Sequence, residues 1–94
     1  MKQKIQLQHP AGKKAVSMDK NKYDVLQSAI LLLLKTKGEL THTEILNAIT
    51  SDFKKNKIKF EGAIAWNLEW VKLDLEAKKE IKRLGESPVK FTVN

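Results

Sequence analysis

The sequence predicts a single α+β domain in which three helices are followed by a β-hairpin. Apolar residues recur at helical spacing in three segments between residues 21 and 78. Two short segments after residue 80 alternate apolar and polar residues, and the turn-like sequence GESP separates them. Because 94 residues bury only a small core, we expect one domain, divided into an N-terminal arm (1–20) and the helices with their hairpin (21–94).

The N-terminal arm is predicted to be strand-like and to end in a loop. Its segment KIQLQ alternates, with Ile5 and Leu7 on one side, and Pro10 and Gly12 then interrupt any regular pattern.

The first helix is indicated by five apolar residues at helical intervals and by a signal at each end. Asn21 is the predicted N-cap, and Gly38 is the predicted stop. The apolar residues are Tyr23, Leu26, Ile30, Leu33 and Leu34. We therefore expect this helix to be mostly buried.

The second helix follows a short extended link at Glu39 and Leu40. Thr41 and Glu44 have the spacing of a capping box. The residues expected on its apolar face are Ile45, Leu46, Ile49 and Phe53.

A third helix is predicted over residues 60–78, and a hairpin over residues 81–93. In the hairpin, EIKRL and VKFTV pair, and the alternation turns Val89, Phe91 and Val93 towards the domain.

Three helices, a short extended link and a hairpin follow one another in the order of a winged helix. Residues 23–93 resemble that superfamily. The combination of Trp66, VKLDLEA at 71–77, Ile81 and Arg83 is similar to small bacterial winged-helix-like proteins of no established function. The resemblance implies DNA binding, with the third helix in the major groove and the hairpin, or wing, against the backbone.

The third helix carries two apolar stripes on opposite sides. One stripe consists of Ile64, Leu68, Val71 and Leu75, and is expected to face the core. The other consists of Ala63, Trp66, Trp70, Leu73 and Ala77. The polar residues expected between the stripes are Glu61, Glu69, Lys72 and Glu76 on one flank, and Asn67, Asp74 and Lys78 on the other.

These flanks argue against sequence-specific DNA reading, because carboxylates repel phosphate and the basic residues are few. Monomers seldom expose large apolar patches. We therefore expect Trp66, Trp70 and Leu73 to be covered by the arm, by the hairpin or by a second chain.

Positive charge is concentrated in the first part of the chain. The net charge is +7: residues 1–59 contain twelve lysines and five acidic residues, and residues 60–94 contain six basic and six acidic residues. The candidate phosphate contacts are Lys54, Lys55, Lys57 and Lys59 in the loop before the third helix, and Lys82, Arg83 and Lys90 on the hairpin. A solvated linker and an exposed strand face remain the competing explanations.

Catalysis and cofactor binding are not expected. The chain has no cysteine, and its two histidines lack a metal-binding spacing. The longest apolar run, AILLLL at 29–34, is far below the roughly 20 residues of a spanning helix, and the N-terminus lacks the pattern of a signal peptide. We expect a cytoplasmic protein that does not enter a membrane.

Two functional hypotheses remain open. The first is weak or nonspecific binding of nucleic acid through the lysines, with DNA as a candidate partner. The alternative is a homodimerisation or protein-interaction module that uses the Trp66 and Trp70 face and does not bind DNA.

Overall fold

A computed structural model describes residues 3–60, 62–85 and 88–94, and it confirms the α+β fold class. The helices of these residues are α1 (Lys20–Lys37), α2 (His42–Lys55) and α3 (Ile64–Ala77). The strands are β1 (Lys4–Gln6), β2 (Ser17–Asp19), β3 (Leu40–Thr41), β4 (Ile81–Leu84) and β5 (Lys90–Val93). None of the described helices is both long enough and apolar enough to cross a membrane.

Helix α1 begins earlier than predicted. Its N-cap is Asp19, whose carboxylate accepts the Asn21 N–H at 2.8 Å, so the predicted Asn21 cap is wrong. The helix ends at Gly38 as predicted, where φ is 88°, a left-handed conformation that glycine adopts without a Cβ clash.

The capping box of α2 is confirmed. The Thr41 hydroxyl accepts the Glu44 N–H at 3.2 Å, and the Glu44 carboxylate accepts the Thr41 N–H at 2.9 Å. The hydrogen bond from the Thr41 N–H to the carboxylate is the largest cause that lowers the pKa of Glu44. Of the predicted apolar face, Ile45, Ile49 and Phe53 are buried and Leu46 is half-buried.

Helix α3 begins at Ile64, four residues after the predicted start at Phe60. Gly62 has a φ of 89°, which takes the chain out of the right-handed helical region just before the helix. Phe60 instead belongs to the connection from α2, and its ring centroid lies 5.9 Å from that of Phe53.

A three-stranded antiparallel sheet places β5 between β3 and β4. Phe91 is opposite Leu40 on one side and Arg83 on the other. Phe91 is buried, and Val89 and Val93 are half-buried against the core, which confirms the predicted inward face of the hairpin. Lys90 on the other face is exposed, but Thr92 is half-buried. The predicted GESP turn includes residues 86 and 87, which lie outside the described residues.

The N-terminal segment forms a second hairpin, in which β1 pairs with β2 and Ile5 is opposite Met18. Leu7 and Met18 are buried in the same apolar core as the helices. The arm therefore contributes side chains to the domain core.

The carboxylate of Asp74, fully buried on α3, joins three parts of the chain. It accepts hydrogen bonds from the Gln8 N–H at 2.8 Å and from the Tyr23 hydroxyl, and it forms an ion pair with Lys78 Nζ at 2.9 Å. Burial, and secondly the bond to Asp74, raise the pKa of Tyr23. This network attaches the N-terminal segment and α1 to the side of α3.

The polar flanks predicted between the two stripes of α3 include three side chains that do not reach solvent. Asn67, Lys72 and Asp74 are all buried. Each has a polar partner: the Asn67 amide, for example, donates to the Ala63 carbonyl at 2.7 Å. Burial of polar groups is tolerated when their hydrogen bonds are satisfied.

Candidate nucleic-acid interface

The lysine loop, predicted over residues 54–59, is shorter in the structure, because Lys54 and Lys55 belong to the last turn of α2. All four lysines of residues 54–59 are exposed. The Ile58 N–H bonds to the Phe53 carbonyl at 2.8 Å, and the Lys57 N–H bonds to the Lys54 carbonyl at 3.3 Å. These are the two bonds of a Schellman motif, which needs a left-handed residue at its penultimate position. Lys57 occupies that position with a φ of 54°.

Lys22 of α1 lies beside the lysine loop, a proximity that the spacing of residues along the chain does not indicate. Its Nζ is 5.6 Å from the centroid of the Phe60 ring. The same Nζ would be 3.6 Å from a Cβ at Gly62. Helix packing therefore brings a fifth lysine to the segment that enters α3.

The described carboxylates of α3 are paired and do not form a free acidic face. Glu69 Oε2 is 3.4 Å from Lys72 Nζ and 3.5 Å from His42 Nδ1. Glu76, whose side chain is nearly buried, accepts from Arg83 Nε at 2.6 Å. With Asp74 paired inside the core, the carboxylates leave little repulsion at the surface of the helix. Glu61 lies outside the described residues.

The candidate residues of the hairpin differ in whether their charges are free to contact phosphate. Arg83 is bound to Glu76, and its guanidinium carbon lies 5.4 Å from the centroid of Phe91. Lys82 is exposed, and lines an open groove of about 540 Å³ together with Arg83, Lys79, His9 and Leu73. Lys90 is exposed and its charge contributes to the lowered pKa of Glu44.

Trp66 and Trp70 form an edge-to-face pair on the solvent side of α3. Their ring centroids are 6.3 Å apart and the rings are inclined by 61°. Trp70 and Leu73 are half-buried, but Trp66 is 53% exposed. The expected cover of Trp66 by the arm or the hairpin is therefore wrong, since the N-terminal segment docks beside Asp74 instead. Cover by a second chain stays a prediction.

Lys72 is a buried lysine held between α2, α3 and the sheet. Its Nζ is 2.9 Å from His42 Nδ1 and 4.2 Å from the centroid of the Phe91 ring. Burial lowers the pKa of Lys72. The pKa of His42 is lowered by its own burial and then by the Lys72 charge, against the opposing effect of Glu69.

The family model described as "Family of unknown function (DUF6958)" matches residues 4–91. The chain belongs to this family. The segment shared with DUF6958 includes the N-terminal hairpin, the three helices and the first two residues of β5. Searches of the curated proteins and of the solved structures gave no match.

Proposed function

We propose that this chain is a winged-helix domain that binds nucleic acid weakly or nonspecifically through the lysine loop. The winged-helix assignment is supported by the order of the helices and by the β3–β5–β4 sheet. The observation that carries the function is the exposure of four lysines within six residues next to the start of α3. Among the described residues, none of the four forms an ion pair, so their charges are free to meet phosphates.

The backbone at Lys57 supports a role for its charge. A left-handed conformation costs a residue with a Cβ roughly 1–2 kcal/mol, and glycine avoids this cost. A cation near the C-terminus of α2 recovers part of the cost through the helix dipole, typically about 0.3–1 kcal/mol. The lysine at position 57 thus lowers the stability of the fold relative to glycine.

The salt dependence of binding tests the proposal. Changing Lys54, Lys55, Lys57 and Lys59 together to glutamine should weaken binding to random duplex DNA. It should also flatten the plot of log K against log salt by up to about 3.6 units, at about 0.9 per phosphate contact. Fluorescence anisotropy over a range of salt concentrations measures this slope.

A matched pair of double variants separates local contact from net charge. K57Q/K59Q and K35Q/K37Q remove the same charge, but Lys35 and Lys37 lie in the last turn of α1, at the opposite end of that helix from Lys22. We expect a clear loss of slope only for K57Q/K59Q. Equal slopes for the two doubles, or tight salt-insensitive binding to one DNA sequence, would contradict the proposal.

The variant K57G tests whether a loss of DNA binding could result from misfolding. It removes the charge and the unfavourable backbone conformation together, so its melting temperature should be at or above that of the parent chain while its affinity for DNA falls.

A second candidate function is a homodimer or a protein complex that buries the Trp66 and Trp70 face. The 53% exposure of Trp66 favours it, because aromatic residues are enriched at protein interfaces. A mass that rises with concentration in analytical ultracentrifugation, with a blue shift of tryptophan emission, is the expected result for a homodimer. A monomer whose emission is that of a solvated indole would exclude it.

A further inference from the structure

We propose that Trp66 is a base-stacking platform and that the preferred ligand of this chain is single-stranded nucleic acid. This inference rests on the proposed function and deepens it: the lysine loop holds the phosphates, and Trp66 holds a base.

Trp66 is placed and shaped for stacking. It lies in the first turn of α3, the end of the helix that the lysine loop enters. Its exposed neighbours Gly62, Ala63 and Ala65 are too small to shield the indole. The half-buried Trp70 ring meets it edge-to-face, which limits the orientations that Trp66 can take. An open, partly fixed aromatic face is therefore present at the end of α3 that follows the lysine loop in the chain.

The polar groups of α3 do not suit the reading of a duplex. Lys72 is the only basic residue between Ile64 and Ala77, and it is buried. Asn67 is also buried and bonded to a backbone carbonyl. Major-groove reading relies on arginine, lysine, asparagine or glutamine at base edges. The solvent face of α3 instead offers an indole, and unpaired bases expose the flat surfaces that stack on one.

Positive charge is present at both ends of the solvent face of α3. The lysine loop and Lys22 lie at its start, and Lys79 and Lys82 line the groove at its end, where Arg83 is paired with Glu76. The 14 residues of α3 span about 21 Å, at about 1.5 Å per residue. At the roughly 3.4 Å per nucleotide of one strand in a stacked duplex, at most about six nucleotides would cross this distance, and an extended single strand would need fewer. The charges thus complement a short stretch of single strand that passes over Trp66.

Trp70 and Leu73 complete the path between the two charged ends. Both are half-buried, so each keeps apolar surface that a base can cover. Stacking surfaces tolerate any base, because every base has a π face, and this agrees with weak or nonspecific binding.

Titration with oligothymidylate and with a duplex of the same length tests the inference, with anisotropy and quenching of tryptophan emission as readouts. We expect tighter binding of the single strand, quenching on binding, and an affinity that levels off beyond about six nucleotides. W66A should weaken single-strand binding by about fivefold or more, as expected for the loss of one stacked base, while W66F should retain most of the affinity. The control L32A trims another exposed apolar residue, 68% exposed on α1, and should leave binding unchanged.

The outcomes separate this inference from the proposed function. If duplex binds as tightly as single strand, or if W66A binds like the parent chain, the stacking role is wrong. The proposed function still stands in that case provided that the lysine-loop variants lose salt slope. If neither nucleic acid binds, both proposals fail. An emission that shifts to the blue as concentration rises, with no quenching by oligonucleotide, would assign Trp66 to a contact between two copies of the chain and overturn the inference.

Discussion

Replacement of Asp74 by alanine tests whether the N-terminal hairpin, α1 and α3 are stabilised by one buried carboxylate. The change removes the acceptor for the Tyr23 hydroxyl and for the Gln8 N–H, and it leaves the Lys78 ammonium without its partner.

The expected loss can be worked out contact by contact. A buried donor left unsatisfied costs about 1–3 kcal/mol, which applies most directly to the Tyr23 hydroxyl. The Gln8 N–H is only partly buried, and the Lys78 side chain is 36% exposed, so water replaces part of those two contacts. Breaking a buried ion pair typically costs about 3–5 kcal/mol, and we expect D74A to lie at the lower end of that range.

Chemical denaturation followed by circular dichroism measures the loss. A chain of 94 residues is expected to have a free energy of unfolding of about 5–14 kcal/mol, so a loss of about 3 kcal/mol is a large fraction. The matched control is D24A, which removes a half-exposed carboxylate paired with Lys20 at 2.6 Å and should cost less than about 1 kcal/mol. If D74A costs no more than D24A, the network does not hold the three elements together.

Three further predictions concern single groups. Tyr23 is the only tyrosine, and its pKa is raised in the folded chain. Its contribution to stability is therefore present below pH 10, where the unfolded phenol is still protonated, and is lost as the pH rises above that value. An absorbance titration near pH 10 should show no tyrosinate until the chain unfolds. K72M should raise the pKa of His42, because the neighbouring charge is removed, and an NMR titration of the imidazole that shows no rise would contradict the contact. Phe91 to alanine should cost on the order of 3 kcal/mol and Thr92 to alanine less than about 0.5, whereas equal losses in urea unfolding would mean that the strand register is wrong.

The elements that depend on neighbouring residues could be predicted from the sequence. Thr41 and Glu44 form a capping box from residues three apart, and the alternation around Phe91 places that ring inside. In the predicted core stripe of α3, Leu68, Val71 and Leu75 are fully buried, as their helical spacing predicts, and Ile64 is half-buried. In each case, the information lies within one turn or one strand.

The features that depend on distant residues could not be predicted in this way. Asp74 is buried because its partners at Gln8 and Tyr23 are 66 and 51 residues away in sequence. Lys72 is buried because α2 and β5 bring His42 and Phe91 to it. A helical pattern counts polar residues as solvent-facing unless these partners are known, and it therefore assigned both side chains to the surface.

The same limit applies to Trp66, whose stripe resembles that of a buried helix. The periodicity shows that two sides of α3 are apolar, but it contains no information on which side the N-terminal segment will cover. Because Gln8 bonds to Asp74, the segment docks on a flank and leaves Trp66 open. The exposure of Trp66 thus goes with the position at which the N-terminal segment docks, which the periodicity of α3 does not specify.

The distribution of paired and free charge connects the fold with the proposed function. In the described part of α3, Glu69, Asp74 and Glu76 each lie within 3.4 Å of a basic nitrogen, so these carboxylates serve the packing of the helix. The lysine loop has no such partner among the described residues, and its cations are held at the end of α2 by a Schellman motif. Free cations attract polyanions, whereas paired carboxylates repel them weakly. The four lysines of the loop therefore precede the end of α3 where Trp66 is exposed, which is the arrangement that the proposed binding of a single strand requires.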